Sequence, residues 1–189
     1  MPGHSPQEAV KNYIDPLQRA VSCLKGGAKI VQTNKVRRVG DTGAWILNGA
    51  TGMVLPRFGV FHAQQLFELV ECDPKRFDLS AGKYRVSTRM YAYNLVADEG
   101  WKMQWHWHPD GNSPEHRPHI HPTVNPKAHM PSGRHTLEDI VEGCIQLGAQ
   151  PGCDDWAKRL LETSGPHKLY RTWVNDPNEN APASSSTAE

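Results

Sequence analysis

Seven of the ten histidines in this chain lie between Trp101 and Thr136, in WKMQWHWHPDGNSPEHRPHIHPTVNPKAHMPSGRHT, and four of them form two His-x-His pairs, His106/His108 and His119/His121. Imidazoles gathered in this way suit three kinds of chemistry. Neutral, they ligate zinc, iron or copper; near their ordinary pKa they give and take protons at neutral pH; protonated, they hold a phosphate. A reading with no chemistry, in which each is a half-exposed polar residue beside an aromatic core, suits one histidine better than seven.

Positioning these side chains requires a sheet. Successive strand residues point to opposite faces, so Trp101, Met103, Trp105 and Trp107 fall on one side of WKMQWHWH while Lys102, Gln104, His106 and His108 fall on the other. The preceding run, Lys83 to Ala97, pairs with it as a hairpin across Asp98-Glu99-Gly100, a three-residue turn ending in glycine. With those three residues unpaired, Tyr91 faces Trp107, Tyr93 faces Trp105 and Leu95 faces Met103. The other face then sets Met90 opposite His108, Ala92 opposite His106 and Asn94 opposite Gln104. His119 and His121, bounded by Pro118 and Pro122, read as a short edge strand returning beside the hairpin, with both imidazoles on one face. Four imidazoles are thus expected to converge.

The rest of the chain supplies support. Ser5-Pro6-Gln7-Glu8 is a capping box ahead of Val10, Tyr13/Ile14, Leu17, Val21 and Leu24, a helix lasting to Gly26-Gly27, in which Asp15-Pro16 offers a kink or a second start. Residues 28–58 read as the short strands KIVQT, KVRRV, AWILN and GMVLPRF, and GVFHAQQLFELVE as a strand or short helix. Thr136 caps a helix with Asp139 three residues on, and Leu137, Ile140, Val141, Cys144 and Leu147 face inward until Gly148 and Pro151. Asp154 starts a last short helix with Trp156, Leu160 and Leu161 inward, and KLYRTWV is a closing strand. The expected fold is α+β: an antiparallel β-sheet meander with an N-terminal helix and one or two C-terminal helices packed on one face. A single domain over residues 1–175, with a His-rich hairpin region at 84–136, is followed by a disordered tail at 176–189.

Composition narrows the partners. With 189 residues, 38% of them apolar, and a net charge of +1, this is one soluble domain whose overall field selects no polyanion. No apolar run is long enough to span a bilayer and the N-terminus lacks a signal-peptide pattern, so a cytoplasmic protein without membrane association is expected. Cys23, Cys72, Cys144 and Cys153 show no Cys-x-x-Cys spacing and read as reduced thiols. Around the histidines the balance is basic, with Arg85, Arg89, Lys102, Arg117, Lys127 and Arg134 against Asp110 and Glu115. Pro131-Ser132-Gly133-Arg134-His135 also enters the Thr136 helix, where free amides and the helix dipole favour an anion. His106, His108, His119 and His121 are therefore the catalytic candidates, and Arg117, Arg134, His135 and Arg89 the substrate-binding ones.

The order of strand YRVSTRMYAYNL, strand WKMQWHWHP, PHIHP and a helix beginning TLEDIVEG, over about Tyr84 to Leu147, resembles the His-rich C-terminal half of TumE-type toxins of bacterial toxin–antitoxin systems, which are similar to the RelE-like ribonucleases. That resemblance implies a toxin-like endoribonuclease independent of metal, with RNA as its substrate and a cognate antitoxin protein as its partner. Such cleavage asks for a base on the 2′-OH, an acid at the leaving oxygen and cations for the phosphorane-like charge, which the histidines and arginines above could supply. The residues leave two other classes open: a metal-dependent hydrolase or oxygenase in which the same four histidines hold a divalent metal, Zn or Fe, near Glu115 or His116, and a non-catalytic partner-binding protein.

Overall fold

The aromatic alternation of the hairpin folds as its spacing dictates. In the computed structural model, which describes residues 2–75, 77–109 and 115–170, the long strand β5 (Tyr84–Ala97) and strand β6 (Lys102–Trp107) pair antiparallel. Tyr91 lies opposite Trp107, Tyr93 opposite Trp105, Leu95 opposite Met103, Ala92 opposite His106 and Asn94 opposite Gln104. Gly100 closes the turn at φ 90° and donates its N–H to the Ala97 carbonyl, a left-handed conformation that would cost a residue with a Cβ about 1 kcal/mol.

On the other side of β5 lies β4 (Gly59–Glu71), which settles GVFHAQQLFELVE as one strand: Phe61, Ala63, Gln65, Phe67 and Leu69 alternate inward and are buried. Beyond it come β2 (Thr42–Leu47) and β1 (Ile30–Gln32), while β7 (His119–His121) and β8 (Met130–Pro131) extend the sheet past β6. The order is β1-β2-β4-β5-β6-β7-β8, with β3 (Met53–Leu55) paired to β4 off that path. KVRRV forms no strand. Val36 is buried there, but the N–H groups of Arg37 and Arg38 both donate to the Asp41 carboxylate, which curls the segment into a turn.

Three helices take the face of Gln65, Tyr91 and Trp107. Helix α1 (Pro6–Val21) is capped by the Ser5 hydroxyl on the Glu8 N–H and runs on through Pro16, so Asp15 starts no second helix. Helix α2 (Leu137–Gln146) carries the reciprocal Thr136/Asp139 capping box, and α3 spans Trp156–Tyr170. This last helix corrects two expectations. The KLY of KLYRTWV belongs to it rather than to a closing strand, and Leu161 is 74% exposed where Leu160 is 4%, since helical neighbours point about 100° apart. RTWV and the 176–189 tail fall outside the described residues. What extends α3 is His167, buried between its neighbours: its Nε2–H donates to the Tyr13 carbonyl at 3.1 Å and its Nδ1 meets the Glu138 carboxylate, tying the three helices together.

Between helices and sheet sits a core with one polar knot. Gln65, fully buried, accepts from the Tyr13 hydroxyl and, at 3.2 Å, from the Trp45 indole, and donates to the Tyr93 hydroxyl. The architecture is α+β, an antiparallel eight-stranded meander with one helix before it and two after. No described helix is long and apolar enough to cross a membrane.

Candidate metal centre

The alternate residues form the other sheet face, and the register arranges them in two rows across the strands. One row runs Ile46, Gln64, Ala92, His106, His119; the next runs His62, Asn94, Gln104, His121. Facing side chains of an antiparallel pair stand about 5 Å apart at Cβ, so the rows bring the imidazoles together. Ring centroids are 5.9 Å apart for His106 and His119, 4.9 Å for His106 and His121, and 5.0 Å for His119 and His121. His108 stands 5.0 Å from His119 and 6.1 Å from His106. All four predicted histidines therefore meet.

A fifth joins them. His129, in the residue just before β8, lies 4.8 Å from His119 and 4.5 Å from His121. Because β8 pairs with β7, the His-x-His strand is not the edge of the sheet, and His119 is fully buried. The sequence held no periodic signal for His129; its clue was membership of the same histidine-dense window.

The hydrogen bonds of three rings decide which nitrogen of each is available. His119 directs Nδ1 at the Arg117 carbonyl at 2.8 Å, and His121 directs Nδ1 at the Pro126 carbonyl at 3.0 Å. A carbonyl only accepts, so both Nδ1 atoms carry the proton and both Nε2 atoms carry the lone pair. His106 directs Nε2 at Asn94 Oδ1 at 2.8 Å, the same oxygen that accepts from Gln104 Nε2 at 2.9 Å, which leaves the lone pair on Nδ1. His119 Nε2 is buried with no hydrogen-bond partner among the described residues. One nitrogen from each of His106, His119 and His121 lies within 4.8 Å of the others. A tetrahedral zinc site with Zn–N near 2.0–2.1 Å places its nitrogens about 3.3 Å apart, so shifts of less than about 1 Å per ring close the site. Metal-bound histidines characteristically donate their outer N–H to a carbonyl or carboxylate, as these three do.

Burial and mutual repulsion disfavour the charged form of His106, His119 and His121. Desolvation pushes His106 down to about 4, with His121, His119 and His108 adding to the effect. Desolvation likewise lowers His119, against the opposing bond to Arg117, and lowers His121, with His129 next in weight. Neutral imidazole is the form that ligates a metal.

The proposed phosphate-binding residues stand elsewhere. Arg89 is the extra residue of a bulge in β5 and reaches back to Glu68 at 2.9 Å on β4. Arg134 stacks on Trp107 at 3.8 Å, on the face opposite His106, and His135 gives its backbone N–H to the Tyr91 hydroxyl on that same face. Arg117 lies beside β7, but its exposed guanidinium is held by both oxygens of Glu115, whose carboxyl it lowers to about 2. His116 turns to the Pro109 carbonyl. Neither Glu115 nor His116 joins the ligand group, which among the described residues is imidazole only.

Comparison with known proteins adds no relative. The chain matches no family model, no curated protein and no solved structure. Its functional reading accordingly rests on this constellation.

Proposed function

We propose that the protein is a metal-dependent hydrolase whose centre is a divalent transition metal held by His106, His119 and His121. The observation that carries this reading is the set of three imidazoles, one nitrogen of each lying within 4.8 Å of the others, whose N–H groups are fixed by Arg117, Pro126 and Asn94. An all-imidazole set favours zinc over magnesium or calcium, which prefer oxygen. Among the described residues the group holds no carboxylate, unlike the two-histidine, one-carboxylate set typical of many non-haem iron oxygenases, and hydrolysis is therefore taken ahead of the oxygenase alternative. A three-histidine zinc site keeps a fourth position for water and brings that water's pKa toward about 7. His108 and His129, whose rings stand 5.0 Å from His119 and 4.5 Å from His121 respectively, would be the neighbours through which its protons could pass.

Metal-free cleavage of RNA by a histidine base and acid, the activity of a toxin partnered by an antitoxin, is the second reading. It draws on the same cluster, and on Arg117 once Glu115 releases it. Hydrolysis of p-nitrophenyl acetate, bis(p-nitrophenyl) phosphate and RNA, each with zinc and with EDTA, separates the two. Ester or diester cleavage abolished by EDTA and restored by zinc supports the hydrolase. RNA cleavage that survives EDTA with a bell-shaped pH profile supports the ribonuclease and overturns the metal reading.

A further inference from the structure

The imidazoles do not stand alone on their sheet face. The two rows that hold His106 and His121 continue through Ala92 and Asn94 on β5 to Gln64 and His62 on β4 and Ile46 on β2. Over that continuation lies a groove of about 350 Å³, lined also by Gly49 and Ala50, which begin a single turn of 3-10 helix, Gly49–Thr51. Adjacent strands are about 4.8 Å apart, so the path from His106 over Ala92 to Gln64 spans roughly 10 Å. Among the described residues none that lines the groove is Asp, Glu, Lys or Arg, and His62 is its one imidazole.

Asn94 belongs to both places. Its Oδ1 already accepts from His106 and Gln104, which turns the other end of the amide, with two N–H donors, away from them, and Asn94 lines the groove. Gln64, exposed on the neighbouring strand, presents a second primary amide. Such a surface satisfies carbonyl and hydroxyl oxygens. An anion entering it would give up hydration with no Lys or Arg in the lining to replace it.

We propose that this groove binds the non-reacting part of the substrate, and that this part is an uncharged chain bearing carbonyl or hydroxyl oxygens, of which a carboxamide is the simplest member. The placement beside reacting atoms rests on the metal-centre reading; the binding itself does not. Asn94 makes the two interdependent, since a ligand oxygen on Asn94 Nδ2 steadies the amide that orients His106. Small Ala92 on the floor leaves the ligand room to pass from one region to the other.

The test follows the side-chain amide NMR signals of Asn94 and Gln64 before and after zinc loading, with the two probes compared in the metal-free protein, where no zinc attracts a carboxylate. The probes are N-acetylglycine methylamide, which is neutral, and N-acetylglycinate, its anionic counterpart. The neutral probe is expected to shift both signals saturably at millimolar concentration, and the anion to bind about tenfold more weakly or worse. Ala50→Trp, an exposed position at the groove wall outside the imidazole cluster, should weaken the neutral probe by about tenfold at unchanged zinc content. Gln64→Leu gives a milder lesion with the same direction. Binding of the anion as tight as that of the amide, no saturable shift at Asn94, or unchanged binding in Ala50→Trp would overturn the proposal. Zinc measured on the same samples keeps the two readings apart. Amide binding without zinc removes the metal centre and keeps the groove, whereas zinc without amide binding removes the groove alone.

Discussion

A histidine becomes a ligand through the partner of its other nitrogen, and here those partners are the Arg117 and Pro126 carbonyls and the Asn94 side chain. Only the last can be removed by substitution. Asn94→Ala should lower zinc affinity by about 10- to 100-fold while leaving stoichiometry intact, as loss of an outer hydrogen bond to a ligating histidine commonly does; competition with a chromogenic chelator measures it. Acid should act on the same rings. In the folded metal-free protein His106 titrates near 4 rather than 6.5, so as pH falls through 6.5 the unfolded chain takes the proton first. Stability of the metal-free protein should therefore hold at and above about pH 7 and fall steadily toward about pH 4. Urea melts across that range check it, and His106→Gln should flatten the slope. The paired histidines were legible because His-x-His fixes a shared face. The role of Asn94 was not, since its oxygen acquires meaning only once β5 and β6 are in register and His106 leans toward it.

At the scale of the element, the hairpin carries the site by burying its opposite face. Trp105 and Trp107 are 5% and 2% exposed, whereas His106 and His108 are only half-buried. Trp105→Ala and Trp107→Ala should each cost about 3–5 kcal/mol in denaturant melts of metal-free protein, and His106→Ala and His108→Ala far less; equal losses would place the imidazoles in the core. This register could be read from the sequence because only a three-residue turn collects Tyr91, Tyr93, Leu95, Met103, Trp105 and Trp107 on one side. Elements lacking alternation were read less well. KVRRV has strand-forming residues, but Asp41 takes its backbone N–H groups. Where a short helix and a closing strand were expected, α3 runs on past Pro166, and His167 finds Glu138 and Tyr13 on the two helices beside it. β8 is two residues long, too short to show any pattern, and with it His129 was missed.

The whole molecule divides its labour between two sheet faces. Three helices cover one and are joined at His167, while the other is left to the imidazoles and the groove. Breaking the helical junction should therefore weaken the fold without touching the centre. His167→Ala, which removes the imidazole that meets the buried Glu138 carboxylate and the Tyr13 carbonyl, should cost about 3–5 kcal/mol of stability in urea melts, with zinc stoichiometry unchanged below the transition. The central claim is the three-imidazole centre, and zinc titration by calorimetry tests it most directly, using tag-free protein stripped with EDTA. The wild-type chain should bind one zinc ion through His106, His119 and His121, and the folded triple variant H106A/H119A/H121A should bind none. A folded wild-type chain that takes up no zinc, or a triple variant that binds it as tightly, would contradict the account.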